Sequence, residues 1–383
     1  MAIDLYPPPQ GKYPSIHAMV NALRPDMPVY CLHQKALRHA AQTFLEGFPG
    51  TTLYAVKCNP HPFVIKQLYE AGIHHFDTAS LGEIALIKGL FPDAHCYFMH
   101  PVKTPSAIAA AYHQYGIRVF VVDHSDEVAK IKRVLPDMHD VILVVRIAPP
   151  STTAVFDFSK KFGASTHDAA GIIKKAQDAD AQIGIAFHIG SQCLTPETFT
   201  QTLTVVRDVL DETGVALKIL DVGGGFPAPY LDHPVPPMSD FFDRIRNGVK
   251  NLSLPKDCRI LCEPGRALVA SGCTLVVQVL LRKPEAIYLN DGFYGSFNEI
   301  VYGKLRLPAT LIRLEGAPPS EKMMDFFVFG PTCDSVDVLP VPFRLPEDVR
   351  EGDWIALSLA GAYTNATVTA FNGFIANTYV EVG

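Results

Sequence analysis

The 383-residue chain is 48% hydrophobic and carries a net charge of −6. That allows one large core or two smaller ones, and it excludes intrinsic disorder and a polyanion-binding surface. No apolar run approaches the ~20 residues of a membrane-spanning helix, and the N-terminal MAIDLYPPP has no basic stretch followed by an apolar one, so no secretory signal is expected. A cytoplasmic protein without nucleic-acid or membrane partners follows. The eight cysteines form no Cys-x-x-Cys pair or Cys/His cluster, which predicts reduced thiols and no metal site.

From about residue 50 to 265, short β-rich runs alternate with helix-length segments. The strands are expected at 52–58 (TLYAVKC), 74–79, 95–100, 118–123, 141–147, 183–188, 217–222 and 259–263. Segments such as Pro60–Ala71, Thr104–Gln114, Ser125–Val134 and Glu197–Glu212 read as helices. Strands alternating with helices imply a parallel sheet, and eight of them imply a closed (β/α)₈ barrel. An open Rossmann-like sheet has no support, because no Gly-x-Gly-x-x-Gly follows the first strand. After about residue 270, runs such as Thr274–Leu281, Asp325–Phe329 and Asp353–Leu359 are separated by Pro- and Gly-containing turns and read as a mostly antiparallel β domain. The expected division is a barrel over 33–271 and a β-sandwich-like domain formed by 1–32 with 272–383.

Working residues of such barrels gather at the C-terminal ends of the strands. Those ends carry Lys57, Asp77 with Ser80, His100, Asp123, Arg146, His188, Gly223-Gly224-Gly225 and Glu263. Lys57 closes an apolar strand, where desolvation favours the free amine that builds a Schiff base; alone, it equally fits a snorkelling surface lysine. The three glycines let backbone amides approach an anion, or simply make a tight turn. Ser191 and the Gly265-Arg266 pair can add hydroxyl, amide and guanidinium contacts to the same anion. Glu263 requires a cationic partner, either a protonated pyridine nitrogen or Arg266. His188 either stacks on an aromatic ring or is a satisfied core histidine. A Schiff-base lysine, a phosphate loop and a carboxylate for a pyridinium nitrogen together point to pyridoxal 5′-phosphate.

The motifs YAVKCN (54–59), FDTAS (76–80), HIGSQ (188–192), DVGGGFP (221–227), EPGR (263–266), NDGFYGSFN (290–298), GPTCDSVD (330–337), GAYT (361–364) and FNGF (371–374) occur in this order. With them the chain resembles the eukaryotic-type ornithine decarboxylases, within the barrel-type pyridoxal-phosphate decarboxylases that share the alanine racemase fold. The resemblance implies that Lys57 holds the cofactor covalently, that His188 stacks on its ring and that Glu263 binds the ring nitrogen. It further implies that Ser191, Gly225, Gly265, Arg266 and Tyr363 hold the phosphate, with Gly224 shaping the loop, and that Asp77 and Arg146 form the polar support. Cys333 is then the proton donor to the substrate carbon after carbon dioxide leaves. Asp291 and Asp334 receive the distal ammonium, and Phe371 tunes the pocket depth. The family forms head-to-tail homodimers with shared active sites, so Cys333 and Asp334 are expected to reach the neighbouring subunit.

Two carboxylates suit an ammonium and repel a second substrate carboxylate, which places ornithine first, giving putrescine for polyamine synthesis. Lysine, one methylene longer and resolved by only ~1–3 kcal/mol, comes second, with arginine and diaminopimelate behind. HIGSQ is equally at home in diaminopimelate decarboxylases, and its Gln192 departs from the small residue often found in ornithine decarboxylases. A non-catalytic regulator on this fold is expected to lack the lysine or the thiol, and both are present.

Overall fold

The computed structural model describes residues 4–150 and 153–383; residues 1–3 of the N-terminal segment and residues 151–152 lie outside it. Eight strands, Thr51–Ala55, His75–Thr78, His95–Phe98, Val119–Val122, Ile142–Ile147, Gln182–Phe187, Ile219–Asp221 and Arg259–Cys262, close into a barrel. Each is parallel to its neighbours, and the last pairs with the first through Leu261–Thr51 and Cys262–Thr52. Most strand ends differ from the sequence reading by one or two residues, and one difference bears on the site. The first strand stops at Ala55 and a 3₁₀ turn, Val56–Cys58, carries Lys57.

Successive residues of a strand face opposite sides, and this alternation builds the site. The inward side chains Leu53, Tyr97, Met99, Val119, Val121, Val144, Ala186, Ile219 and Leu261 form a buried apolar cluster that fills the barrel. Two residues further along, the same inward faces present Asp123 after Val121, Arg146 after Val144, His188 after Ala186, Asp221 after Ile219 and Glu263 after Leu261. The outward faces pack on the helices in the main core.

The helices begin where their sequences provide caps. Ser80 accepts the Glu83 N–H at 3.2 Å and the Glu83 carboxylate accepts the Ala79 N–H at 2.6 Å, which starts helix Leu81–Leu90. Thr104 caps helix Pro105–Tyr115, which ends at Gly116 with φ +69°, a left-handed conformation favoured in glycine. Ser80 is thus spent on capping.

Of the remaining strands in the described residues, nine form one sheet, and Ala154–Phe156 pairs antiparallel with Ser191–Cys193 in a separate two-stranded sheet. Val29–Leu32 pairs antiparallel with the long strand Cys273–Lys283, and Lys12–Tyr13 and Thr378–Val382 extend that edge in parallel. Cys273–Lys283 also pairs antiparallel with Ala286–Leu289 and Trp354–Leu357. The N-terminal segment therefore joins the C-terminal strands. The sheet is more mixed than a purely antiparallel reading implies, because Ala286–Leu289 runs parallel to Met323–Phe329.

Buried polar contacts seat this sheet on the barrel mouth. The Tyr363 N–H donates to the Cys58 carbonyl at 2.8 Å. Asn59 Nδ2 donates to the Gly361 carbonyl at 2.8 Å, and Asn365 Nδ2 donates to Asn59 Oδ1 at 2.9 Å. The turn that carries Lys57 is thus tied to the segment 361–365 of the β domain.

Candidate active site

At the top of the barrel the Lys57 ammonium is ion-paired with Asp77 Oδ2. Lys57 therefore points into the barrel and does not snorkel outward. Its charge state also departs from the sequence reading. Burial pushes the ammonium pKa down, but attraction to Asp77 and Glu263 outweighs it and holds the group above the ordinary lysine range. The Lys57 side chain is still 40% exposed, against 1% for Asp77, so it keeps part of its hydration. Desolvation alone does not decide a lysine that faces carboxylates.

The far wall holds Arg146, Asp221 and Glu263. Glu263 is pushed well above the carboxylate range by burial and then by Asp221 and Asp77, with Lys57 and Arg146 opposing. Asp221 is fully buried and is pushed up to about 7, chiefly by burial, while the Gly223 N–H bound to its Oδ1 at 2.8 Å opposes the shift. Asp221 Oδ2 and Asp77 Oδ1 are buried without hydrogen-bond partners. Burial, followed by Arg146 and Lys57, holds the His188 pKa well below its usual value, which keeps the ring neutral. Its Nδ1 accepts the Gly190 N–H at 3.0 Å. Asp123 and His100 stay at the rim, with Asp123 accepting the Gly163 N–H at 3.0 Å and His100 Nδ1 within 2.7 Å of the Val102 carbonyl.

The glycine loop runs between these groups. A Cβ on Gly224 would lie 2.7 Å from the Glu263 carbonyl and 2.9 Å from His188 Nε2, and Gly225 has φ +112°. Only glycine fits this backbone against the imidazole. Beyond it, Arg266 Nε and Nη2 donate to Ser191 Oγ at 3.2 and 3.1 Å, and Nη1 donates to Tyr230 Oη at 3.0 Å. The Tyr363 ring lies 5.1 Å from the guanidinium, and Tyr363 itself has φ +63°, a strained conformation for a bulky residue. The alternative Glu263–Arg266 pair does not form: Arg266 pairs with Glu299 instead. Gly265 lies against Cys58, where a Cβ would come within 2.9 Å of the Cys58 Cβ.

These residues fit pyridoxal 5′-phosphate. Lys57 supplies an amine, His188 a neutral ring and Glu263 a carboxyl group, while the Gly224 cradle and Arg266 with Ser191 supply an anion cup.

A second group lies on the β domain, with partners drawn from that domain. Cys333 is the exposed one of the eight cysteines, and its Sγ lies 3.2 Å from Asn372 Oδ1. Tyr294 Oη donates to Asp334 Oδ2 at 2.6 Å, and the Tyr294 ring lies 4.5 Å from that of Phe371. Asp291 is held by its own turn through one oxygen. It is 3% exposed, and its Oδ1 accepts the N–H groups of Gly292 and Ser296 at 2.8 and 3.0 Å. Oδ1 closes this turn, while Oδ2 is buried without a hydrogen-bond partner.

Gln192 is also structural. Its amide donates to the Ala228 carbonyl at 2.6 Å and accepts the Ala228 N–H at 2.9 Å, bracing the segment after the glycine loop.

A family model described as "Pyridoxal-dependent decarboxylase, pyridoxal binding domain" matches residues 34–270. The chain belongs to the pyridoxal-dependent decarboxylases. Ornithine decarboxylase of Mus musculus is 34% identical over 357 residues, covering 86% of this chain and 75% of that protein. Lysine/ornithine decarboxylase of Vibrio vulnificus, solved with putrescine, is 33% identical with a TM-score of 0.82, covering 96% of this chain and 98% of that one. The arginine decarboxylase of Paramecium bursaria Chlorella virus, solved with agmatine, has a TM-score of 0.85 at 27% identity, covering 95% and 98% of the two chains. The decarboxylase is a carboxy-lyase of this barrel fold, and its cofactor is pyridoxal 5′-phosphate.

Sequence reasoning passed over Asp221, Tyr230, Glu299 and Asn59. Period two from Ile219 marks Asp221 as inward-facing, and that signal was available. Tyr230 and Glu299 carry no local signal, because they reach Arg266 from a loop and from the β domain.

Proposed function

We propose that this decarboxylase releases carbon dioxide from a basic L-amino acid, with L-ornithine first and putrescine as product for polyamine synthesis in the cytoplasm. Lysine is the second substrate, and dual activity is supported by the likeness to the Vibrio lysine/ornithine enzyme. The observation that carries the reading is the joint presence of the Lys57–Asp77 pair, Glu263 and the Arg266–Ser191 cup at one barrel mouth. Lys57 is the residue that carries the cofactor. The bound cofactor supplies an electron sink for the pair left on the substrate carbon when carbon dioxide departs.

The remaining roles belong to the chain. Asp77 holds the Lys57 ammonium and, with Arg146, supports it. The neutral His188 offers a face for the cofactor ring, Glu263 meets the ring nitrogen, and Ser191, Gly225, Gly265, Arg266 and Tyr363 bind the phosphate. Cys333 delivers a proton from Sγ to the substrate carbon, and Asp334 with Phe371 lines the distal pocket. Because Cys333, Asp334 and Phe371 group on the β domain, apart from the Lys57 layer, we infer a homodimer in which they serve the neighbouring barrel. The division into a barrel over 33–271 and a second domain of 1–32 with 272–383 is supported by the strand Cys273–Lys283, which pairs with Val29–Leu32.

Carbon dioxide release from L-ornithine, L-lysine, L-arginine and meso-diaminopimelate tests the substrate. Turnover of ornithine above lysine is expected, and turnover of diaminopimelate alone would overturn the reading.

A further inference from the structure

The residues on either side of Cys333 are closed by their own turn: Asp337 Oδ2 accepts the Thr332 N–H at 3.0 Å, and Asp334 Oδ1 accepts the Val336 N–H at 3.0 Å. Cys333 is held from elsewhere. Its backbone N–H and its Sγ both lie 3.2 Å from Oδ1 of Asn372, 39 positions further along the chain. The segment that presents Asn372 is itself anchored. The Thr369 N–H and Oγ1 both donate to the Tyr294 carbonyl at 2.9 Å, and the Phe371 ring packs on Tyr294, whose hydroxyl donates to Asp334. Between these anchors Asn372 has φ +52° and ψ +13°, a left-handed conformation that asparagine tolerates better than most residues.

We propose that Asn372 is the positioning residue of the Cys333 thiol. The inference deepens the reading of Cys333 as the proton donor and rests on it. A backbone N–H can only donate, so the amide atom that faces it is the oxygen. The same oxygen faces Sγ, and an amide oxygen accepts from S–H but offers nothing to a bare sulfur. The thiol therefore meets Asn372 with its hydrogen in place, the form a proton donor needs. The contact fixes the sulfur, and rotation about Cβ–Sγ alone redirects the hydrogen. In the step this serves, the S–H bond breaks and the sulfur keeps its electron pair. A C–H bond forms on the substrate carbon with the pair left by carbon dioxide, and water returns a proton to the sulfur before the next turnover. Cys333 is exposed on the single chain, and an exposed thiol without such a contact samples several rotamers.

The test compares the wild type with Asn372→Gly, which keeps the left-handed backbone and removes the amide, and with Asn372→Asp, which keeps an acceptor oxygen. In the apoprotein, alkylation of Cys333 by iodoacetamide, followed by peptide mass, should run roughly 2- to 10-fold faster in Asn372→Gly, the scale of one neutral hydrogen bond. Asn372→Asp should stay near the wild-type rate. In the holoenzyme, Asn372→Gly should lower kcat for ornithine on the order of 10-fold with KM within about twofold, part of what a positioned acid contributes. Asn372→Asp should recover most of that kcat. In a Cys333→Ala background Asn372→Gly should cost nothing further, because the amide acts through the thiol. Equal alkylation rates, or an equal kcat loss with and without Cys333, would overturn the proposal and leave Asn372 as a brace for its own loop. A Cys333→Ala variant with wild-type kcat would instead overturn the reading of Cys333 as the donor.

Discussion

Asp221 and Glu263 are buried carboxylates at the ends of adjacent barrel strands, and after burial itself Asp221 is the neighbour that most raises the Glu263 pKa. The Glu263 N–H donates to the Gly223 carbonyl at 2.8 Å, and the Gly223 N–H donates to Asp221 Oδ1 at 2.8 Å. The backbone therefore fixes the two side chains together at the start of the glycine loop. Two like charges buried this close cannot both ionise cheaply, so the pair retains a proton. Asp221 Oδ2 has no hydrogen-bond partner to compensate its burial.

The apoprotein should therefore be more stable with Asp221→Asn at neutral pH. A carboxylate whose folded pKa is raised to about 7 contributes no penalty below its unfolded pKa near 4, and destabilises increasingly as pH rises from there to about 7. The asparagine can still accept from Gly223 and can donate to Glu263. Urea titrations between pH 4 and 8 should show a gain of roughly 1–4 kcal/mol at pH 7 that vanishes toward pH 4. A gain independent of pH would contradict the shared proton.

Asp77→Asn removes the main attraction that holds the Lys57 ammonium above its usual range. The lysine should titrate at lower pH, because burial then acts with less opposition. Reductive labelling of the apoprotein at pH 7–9 should modify Lys57 faster in the variant than in the wild type, and an equal rate would exclude Asp77 as the controlling group.

Acid should weaken the fold through His61. Its Nδ1 accepts the Phe63 N–H at 3.1 Å and its Nε2 lies 3.0 Å from the Pro7 carbonyl. Burial lowers its pKa to about 4. Because the folded pKa lies below the unfolded one, this stability is present above about pH 6.5 and is lost as pH falls toward 4. The loss is at most roughly 3 kcal/mol, and His61→Asn, which keeps a capping oxygen, should flatten that part of the curve.

Mixing Lys57→Ala with Cys333→Ala tests whether sites are shared between subunits. Each variant alone should be nearly inactive. Cys333 is exposed, so its truncation should change stability by no more than about 0.5 kcal/mol. If Cys333 serves the partner's barrel, mixed dimers contain one intact site, and random re-association should restore up to about a quarter of wild-type activity. No recovery, with dimer exchange verified, would place both residues in one subunit's site.

Much of this was legible from sequence because the relevant signals are local. The alternation of strands and helices, the inward position of Arg146, His188 and Glu263, and the glycines that let backbone meet imidazole are properties of short segments. Lys57 could be recognised as an inward residue, but its charge could not, since that depends on Asp77 on the next strand and Glu263 on the last. The same limit applies to Asp291. Its motif resembles a binding segment, and the backbone folds Gly292 and Ser296 onto one oxygen of its carboxylate.

The order of residues determined the barrel, the cofactor class and the family, because period-two patterning and glycine stereochemistry act within a few residues. Only the tertiary structure decided which carboxylates pair, which share a proton and which face outward. Asp77, Asp221, Glu263, Glu299 and Asp291 are chemically alike in sequence. They are told apart by burial and by partners brought from distant strands, and electrostatic energies follow those distances, whatever the separation along the chain.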